Sequence, residues 1–310
     1  MPSTDVRPAT EVVRALAVLC EPPDDAHVRV AHSLGLPPTR PADHWEVFGL
    51  HLPPYASLWT GPEGMLGGVA RERVAGFWRA LRLDVPAEPD HLAALLGLYA
   101  ALADAEAAEA DAAASALRRQ SRRALLDEHL LPWVPVFADA VAALDPRGPA
   151  AAWAGLLVDV LLAEAEGLPG ATAPVGLPAV LRDAAPPLAA DDPVPAWVDA
   201  ALTPSRSGVA LTRADLAEAA RTLGLAVRMG DRRLVLTALL RQDAAAVLHW
   251  LAGHADGWAA LHRARAARLG GVATWWAERA DHTARSARQR ARSVQEPAVP
   301  PPQEVPADVH

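Results

Sequence analysis

Apolar residues recur at intervals of three and four along most of this chain, and alternating strand-like runs are scarce. Such spacing puts apolar side chains on one face of a helix, so the pattern predicts an all-α fold. The clearest stripe follows Asp90, which is predicted to be the N-cap of its helix. Its apolar positions fall at i, i+3, i+4, i+7 and i+10 and are Leu92, Leu95, Leu96, Tyr99 and Leu102.

Similar stripes predict helices over 69–81, 104–131, 132–144 and 150–166. A stretch rich in proline, alanine and glycine then separates them from a second helical region, in which Thr212 is a predicted N-cap. The predicted organisation is a helical domain over 1–167, a linker or long loop over 168–195, a C-terminal helical region over 196–292 and a disordered proline-rich tail over 293–310.

Composition limits the class of protein. Hydrophobic residues make up 51% of the 310 residues, mean hydropathy is only +0.08, and no apolar run reaches the length that spans a bilayer. Cys20 is the single cysteine, which excludes an intrachain disulfide and a cysteine metal cluster, and we expect it to be a buried, inert thiol. The charged residues before it argue against a lipoprotein signal, so we expect a cytoplasmic protein.

The charge pattern disfavours nucleic acid as a partner. Lysine is absent, all 29 basic residues are arginines, and the net charge is −8. Arginines are dense over 263–292 and over 118–123, where solvated helix faces are expected. One possible function is still that of a regulatory module that binds nucleic acid through the C-terminal arginines. Such binding would be steeply salt-dependent.

No catalytic constellation is present in the sequence. A phosphate-binding loop is missing, and no nucleophile elbow surrounds Ser57. We therefore predict a protein that is not an enzyme and has no cofactor. The alternative is a helical metal-binding protein or enzyme that uses His91 and His129 with the adjoining Asp90 and Glu128, although two histidines at this spacing are a weak ligand signal.

Three short motifs occur in order along the first half of the chain. They are Tyr55-Ala56-Ser57-Leu58-Trp59, Pro89-Asp90-His91-Leu92, and Glu128-His129-Leu130 followed by Trp133 and Phe137. In order and spacing the set resembles the TorD/DmsD/NarJ family of redox-enzyme maturation chaperones. The resemblance covers about residues 10–165 and implies a TorD-like helical bundle, here with an additional C-terminal helical region.

The resemblance also implies a function. Members of this family bind the apo form of a molybdopterin-dependent oxidoreductase, often at a twin-arginine signal peptide, and assist cofactor insertion before export. A receptor for such a peptide needs an apolar groove with carboxylates at its rim. The client-binding candidates are Tyr55, Ser57, Trp59, Asp84, Glu88, Asp90, His91, Glu128, His129 and Trp133.

Several points stay open at this level. Each candidate residue is also explained by helix capping or core packing, so only the joint order of the motifs argues for a chaperone. The client, and whether it is recognised at a signal peptide or at a mature N-terminus, does not follow from the sequence. The oligomeric state is open too, with domain-swapped dimers known in the family, as is the role of the C-terminal region.

Overall fold

The computed structural model describes residues 6–168 and 176–295, and within them the fold is all-α, as predicted. The segments 169–175 and 296–310, which belong to the predicted linker and tail, lie outside the described residues. The helices are α1 (Val6–Val18), α2 (Asp25–Ser33), α3 (Pro41–His44), α4 (Ala56–Thr60), α5 (Gly68–Ala80), α6 (Leu92–Ala108), α7 (Ala112–Leu125), α8 (Val134–Leu144), α9 (Pro149–Gly167), α10 (Ala179–Arg182), α11 (Val194–Ala201), α12 (Pro204–Ser207), α13 (Arg213–Leu223), α14 (Arg232–Gln242), α15 (Ala244–Ala264), α16 (Ala266–Leu269) and α17 (Gly271–Gln295). Two π-helical segments are π1 (Trp45–His51) and π2 (Leu126–Leu130).

The first hydrophobic core lies where α1 packs on α6 and α8 packs on α9. Tyr99, Trp133 and Phe137 are among its fully buried side chains, and Cys20 is buried as expected. Burial in this apolar setting raises the pKa of the Cys20 thiol, so the thiolate form is disfavoured. The first core therefore includes aromatic residues that the sequence placed in the motif region.

A long helical hairpin of α15 and α17 connects two cores. The half of the hairpin near its turn, including Trp258 and Trp276, belongs to the first core. The opposite half, including Leu248 and Ala287, packs with Trp197 in a second core built from α11, α13 and α14. The C-terminal helical region thus shares its longest helices with the first core.

Polar contacts fasten the C-terminal region to the motif region. The indole N–H of Trp276 donates to the carbonyl oxygen of Pro132 (2.7 Å). Arg265 and Asp139 form a two-pronged ion pair, in which Nε and Oδ2 are 2.8 Å apart. A bidentate pair adds a defined geometry to the attraction between the charges. It therefore holds the start of α16 against α8.

The described part of the predicted linker is packed against the helices on both sides. Glu128 accepts a hydrogen bond from the first amide of α10, at Ala179 (2.8 Å), and Leu188 is fully buried. From α17, Arg279 and Arg290 donate to backbone carbonyls of this segment, so these two arginines are not simply solvated. The exact domain boundaries stay predictions, and α17 continues through 293–295, which the sequence placed in the tail.

The prediction of one helix over 104–131 is wrong, because the structure divides this range between α6, α7 and π2. The structure ends α6 at Ala108 and starts α7 after Asp111, whose carboxylate accepts from the amide of Ala114 (2.8 Å). The chain then passes from α7 into π2, and Pro132 lies in the turn before α8 instead of opening that helix. A helix can start at an aspartate N-cap without a proline or glycine before it. The composition therefore did not reveal the break between α6 and α7.

The arginines at 118–123 were expected on a solvated face, and for Arg122 that expectation is wrong. Its side chain is only 8% exposed and lies between the carboxylates of Glu106 (3.1 Å) and Glu164 (3.9 Å). Its guanidinium also lies over the ring of Tyr99, 5.4 Å from the centroid. These partners come from α6 and α9, so only the tertiary fold brings them together.

Candidate functional site

Two of the sequence motifs are joined directly by backbone hydrogen bonds. An isolated antiparallel bridge, with bonds of 2.9 and 2.8 Å, pairs Tyr55 with His91. We refer to Tyr55, Ser57, Asp90 and His91 as the motif junction. Motifs that are separated by more than thirty residues in sequence therefore form one local structure.

Asp90 connects the two motifs through its side chain as well. Its buried carboxylate accepts a hydrogen bond from the amide of Ser57 (3.1 Å), in the first turn of α4. The prediction that Asp90 caps α6 is therefore wrong, because it serves α4. The N-cap of α6 is His91, whose Nδ1 accepts from the amide of Ala93 (3.2 Å).

The imidazole of His91 is held in its neutral form. Burial lowers the pKa of His91, and the nearby carboxylates of Glu21, Glu88 and Asp90 oppose that effect. Since Nδ1 accepts a hydrogen bond, the proton of the neutral ring lies on Nε2. The carboxylate of Glu21 lies 3.6 Å from Nδ1, too far for a hydrogen bond, and acts on the ring through its charge.

The solvent side of the motif junction carries negative charge. The ring of Tyr55 meets the ring of His91 edge-on at 4.8 Å. Burial, together with the neighbouring Glu88 carboxylate, raises the pKa of Tyr55 to about 12, so its hydroxyl stays protonated at neutral pH. Glu21 and Glu88 are both exposed. A cation approaching the junction would meet these two carboxylates.

A loop with exposed apolar side chains adjoins the junction. Met65, Leu66 and Val69 are 65%, 60% and 68% exposed, so most of each side chain faces water in the folded protein. The hydroxyl of Ser57 accepts from the amide of Gly67 (3.3 Å), which ties the loop to the same serine that Asp90 holds. We refer to residues 61–69, which run into the first turn of α5, as the apolar loop. We refer to the exposed carboxylates of Glu21 and Glu88 as the acidic patch. Ser57 thus contributes to a structure that carries both this patch and the apolar loop.

The C-terminal region supports this loop from the other side. The hydroxyl of Ser205, in α12, donates to the carbonyl oxygen of Gly61 (2.8 Å). Gly64 has a φ of +58°, and a Cβ built there would lie 3.2 Å from the Thr203 hydroxyl, so glycine suits both its conformation and its space. The apolar loop is therefore shaped by two distant parts of the chain.

Glu128, His129 and Trp133 of the third motif lie in and just after π2. The indole N–H of Trp133 donates to the carbonyl oxygen of His129 (2.7 Å), and both side chains are buried. The His129 ring lies 4.8 Å from that of Phe77, and burial, with a smaller effect from Arg73, lowers the pKa of His129 to about 4. Glu128 points elsewhere and accepts from α10. The π-helical turn allows neighbouring residues of this motif to face different elements.

The remaining candidates divide into buried and exposed residues. Trp59 is 3% exposed and packs edge-on against Phe137 at 5.6 Å, so it supports the junction from inside the core. Its indole N–H has no hydrogen-bond partner within the described structure. Asp84 is exposed in the connection between α5 and α6. It could meet a partner directly, whereas Trp59 could not without movement.

The metal-binding alternative gains no support from the geometry. His91 contacts Tyr55 and caps α6, while His129 contacts Phe77 in the core. Across residues 6–168 and 176–295, no group of three or more histidine, cysteine, aspartate or glutamate side chains is placed to hold a metal ion.

Sequence reasoning missed part of the site. It did not single out Glu21 beside His91, or Met65 and Leu66 in the apolar loop. Val69, the first residue of the helix predicted over 69–81, is also exposed, because the buried face of α5 carries Ala70 and Val74. The signal available was an apolar pair enclosed by glycines at 61–68, where no helical stripe accounts for the side chains.

Comparison with known proteins identifies a family for this part of the chain. Residues 45–139 match the family described as nitrate reductase delta subunit. The match runs from π1 into α8, so it includes all three motifs, and it covers less than half of the chain. No curated protein and no solved structure matches significantly.

The motif junction thus lies inside the segment that matches this family. Residues 45–139 are similar to this NarJ/TorD-type family of molybdoenzyme chaperones, in agreement with the family that the motifs predict. Within the described segments, no helix is long and apolar enough to cross a membrane.

Proposed function

We propose that this protein is a cytoplasmic chaperone that binds the apo form of a molybdopterin-dependent oxidoreductase and assists insertion of its cofactor before export. Binding takes place at a twin-arginine signal peptide or at an N-terminal segment of the catalytic subunit. The observation that carries the proposal is that Ser57, inside the segment that matches the family, contacts both Asp90 and the apolar loop, so that the acidic patch beside Asp90 and His91 adjoins exposed apolar side chains.

The chemistry of this surface suits a segment with a cationic start and an apolar middle. Glu21 and Glu88 would face the cationic residues, and Met65, Leu66 and Val69 would contact the apolar ones. Methionine has several rotatable bonds and a polarisable sulfur, so it adapts to different partner side chains. Full burial of an apolar side chain of this size contributes about 1.5–3 kcal/mol, enough to make the loop a principal contact.

The buried motif residues have a different role in this proposal. Asp90 and His91 are held by backbone amides, and Trp59 and Trp133 lie in the core. They fix the position of the acidic patch and of the apolar loop, and the exposed residues contact the client. Substituting Met65 should therefore affect binding without affecting folding.

The decisive experiment measures binding of a labelled twin-arginine signal peptide by fluorescence anisotropy. The double variant Met65→Ser with Leu66→Ser is expected to weaken binding at least about tenfold, since it removes most of the apolar contact. Met229→Ser is the matched control, because Met229 is 95% exposed but lies in the connection between α13 and α14. The control is expected to bind like the unmodified protein.

A second measurement addresses the partner itself. Purification of the tagged chain from cells that produce a molybdopterin oxidoreductase should recover its catalytic subunit in the apo form. Equal peptide affinity for the double variant and the control would refute the role of the apolar loop. Failure to recover any molybdoenzyme subunit, together with failure to bind both a signal peptide and a mature N-terminal peptide, would refute the chaperone function.

A further inference from the structure

A cavity that is open to solvent lies far along the chain from the motif junction. It is a groove of about 750 Å³ between α11, α14, the start of α15 and the end of α17. Val194, Leu234 and Val294 line it and remain 50%, 44% and 57% exposed, so the groove is open to water. Its volume lies within the range of about 300–1,000 Å³ that is typical of ligand-binding clefts.

Arginines outnumber carboxylates among the residues that line the groove. Arg233, Arg241 and Arg290 line it together with a single carboxylate, that of Asp231. Asp231 is engaged as the N-cap of α14. The whole chain carries a net charge of −8, so this excess of arginines among the lining residues is a local feature.

The three guanidinium groups differ in the partners they already have, and Arg290 is already influenced by the charges of Asp191 and Asp192. Arg241 is exposed and has no ion-pair partner within the described structure. Arg290 donates through Nη1 to the carbonyl oxygens of Ala190 and Asp192 and lies over the ring of Trp197, 5.3 Å from the centroid. Its other nitrogens make no hydrogen bond to a described residue. Arg233 already pairs with Asp199 at 2.5 Å.

We propose that this groove binds an acidic amphipathic helix of a partner protein. Apolar side chains at i, i+4 and i+7 of such a helix would enter the groove, and its carboxylates would meet Arg241 and Arg290. The groove and the motif junction have opposite charge preferences, since the junction is acidic. A cationic signal peptide would be repelled here, so the inference adds a second binding surface to the proposed function and does not depend on it.

The probe is a labelled synthetic helical peptide with leucines at i, i+4 and i+7 and glutamates at the flanking positions. It is expected to bind the full chain, and more weakly as salt is raised. A peptide with lysine in place of glutamate is expected not to bind. Arg241→Glu should weaken binding about tenfold, since it replaces an attraction by a repulsion at the rim.

The matched control is Arg285→Glu. Arg285 is exposed on α17, has no partner among the described residues, and does not line the groove, so this variant changes the net charge equally. It is expected to bind the acidic peptide like the unmodified chain. If both variants weaken binding equally, the effect comes from the net charge of the chain and the proposal is overturned. Binding of the lysine peptide would overturn it as well.

A second occupant is distinguished by the same assay. Residues 296–310 contain Glu296, Glu304 and Asp308 and follow directly after Val294 and Gln295. If the full chain with these three acids changed to glutamine binds the probe far more tightly than the unmodified chain, the groove belongs to the chain itself and the outside partner is refuted. Unchanged binding of the twin-arginine peptide by Arg241→Glu separates this test from that of the proposed function.

Discussion

The buried histidine of the third motif should make the stability of this protein depend on pH. Burial of His129 in π2, against the ring of Phe77, lowers its pKa from the ordinary value of 6.5 to about 4. Below pH 6.5 the unfolded chain takes up a proton at this position, whereas the folded protein does so only near pH 4. The free energy of unfolding therefore falls as pH drops from about 6.5 to about 4 and levels off below that.

The magnitude follows from the two pKa values. They differ by about 2.5, and each pKa unit corresponds to about 1.36 kcal/mol, so His129 alone should remove about 3 kcal/mol across this window. That is a large share of the 5–15 kcal/mol or so that is typical of native proteins. The substitution His129→Leu has a similar volume and no titrating group, so it should abolish this contribution while it preserves the contact with Phe77.

The assay compares urea unfolding of the unmodified protein and of His129→Leu between pH 8 and pH 4. The variant should gain about 3 kcal/mol relative to the unmodified protein over that range, because the other buried histidines contribute equally to both. A carbon-13 NMR titration of His129 should show no protonation until near pH 4. Parallel stability curves for the two proteins, or titration of His129 near pH 6.5, would refute the reasoning.

Further predictions concern the junction and the hairpin. Asp90→Ala should cost about 1–2 kcal/mol in thermal unfolding and speed hydrogen exchange at the Ser57 amide, because that amide loses its acceptor; unchanged exchange would contradict the role of Asp90. Gly208→Ala should cost more than about 2 kcal/mol, since φ is +71° and the added Cβ would lie 2.3 Å from the amide nitrogen of Ala280. Gly224→Ala, with φ of +67° and open space, should cost only about 1 kcal/mol, and equal losses for the two glycines would contradict the steric argument.

Several helices and helix ends could be predicted from residues that are close together in the sequence. The stripe that begins at Leu92 forms α6. Thr212 is the N-cap of α13, as predicted, and it forms a reciprocal capping box with Asp215. Gly224 ends that helix in a left-handed conformation, which glycine adopts without a steric penalty. These features depend on residues within one or two turns of each other, so the sequence contains all that is needed to find them.

Features that depend on distant partners could not be found in this way. Asp90 lies directly before a helix and suits its N-terminus, yet its carboxylate binds the amide of Ser57 in α4. Arg122 lies among other arginines on α7, yet α6 and α9 bring Glu106 and Glu164 to it. In both cases the choice between a local and a distant partner is made by packing, which one sequence does not display.

The candidate site combines buried residues that belong to the motifs with exposed residues that do not. Motif residues such as Asp90, Trp59 and Trp133 are buried, so a resemblance based on them reports how the chain is folded around Ser57. The exposed Met65 and Leu66 belong to no motif, although they have the position and chemistry to meet a client. On the proposed function, the motifs identify the family, and the side chains beside them select the partner. The identity of the client should therefore be sought in peptides that complement the acidic patch and the apolar loop.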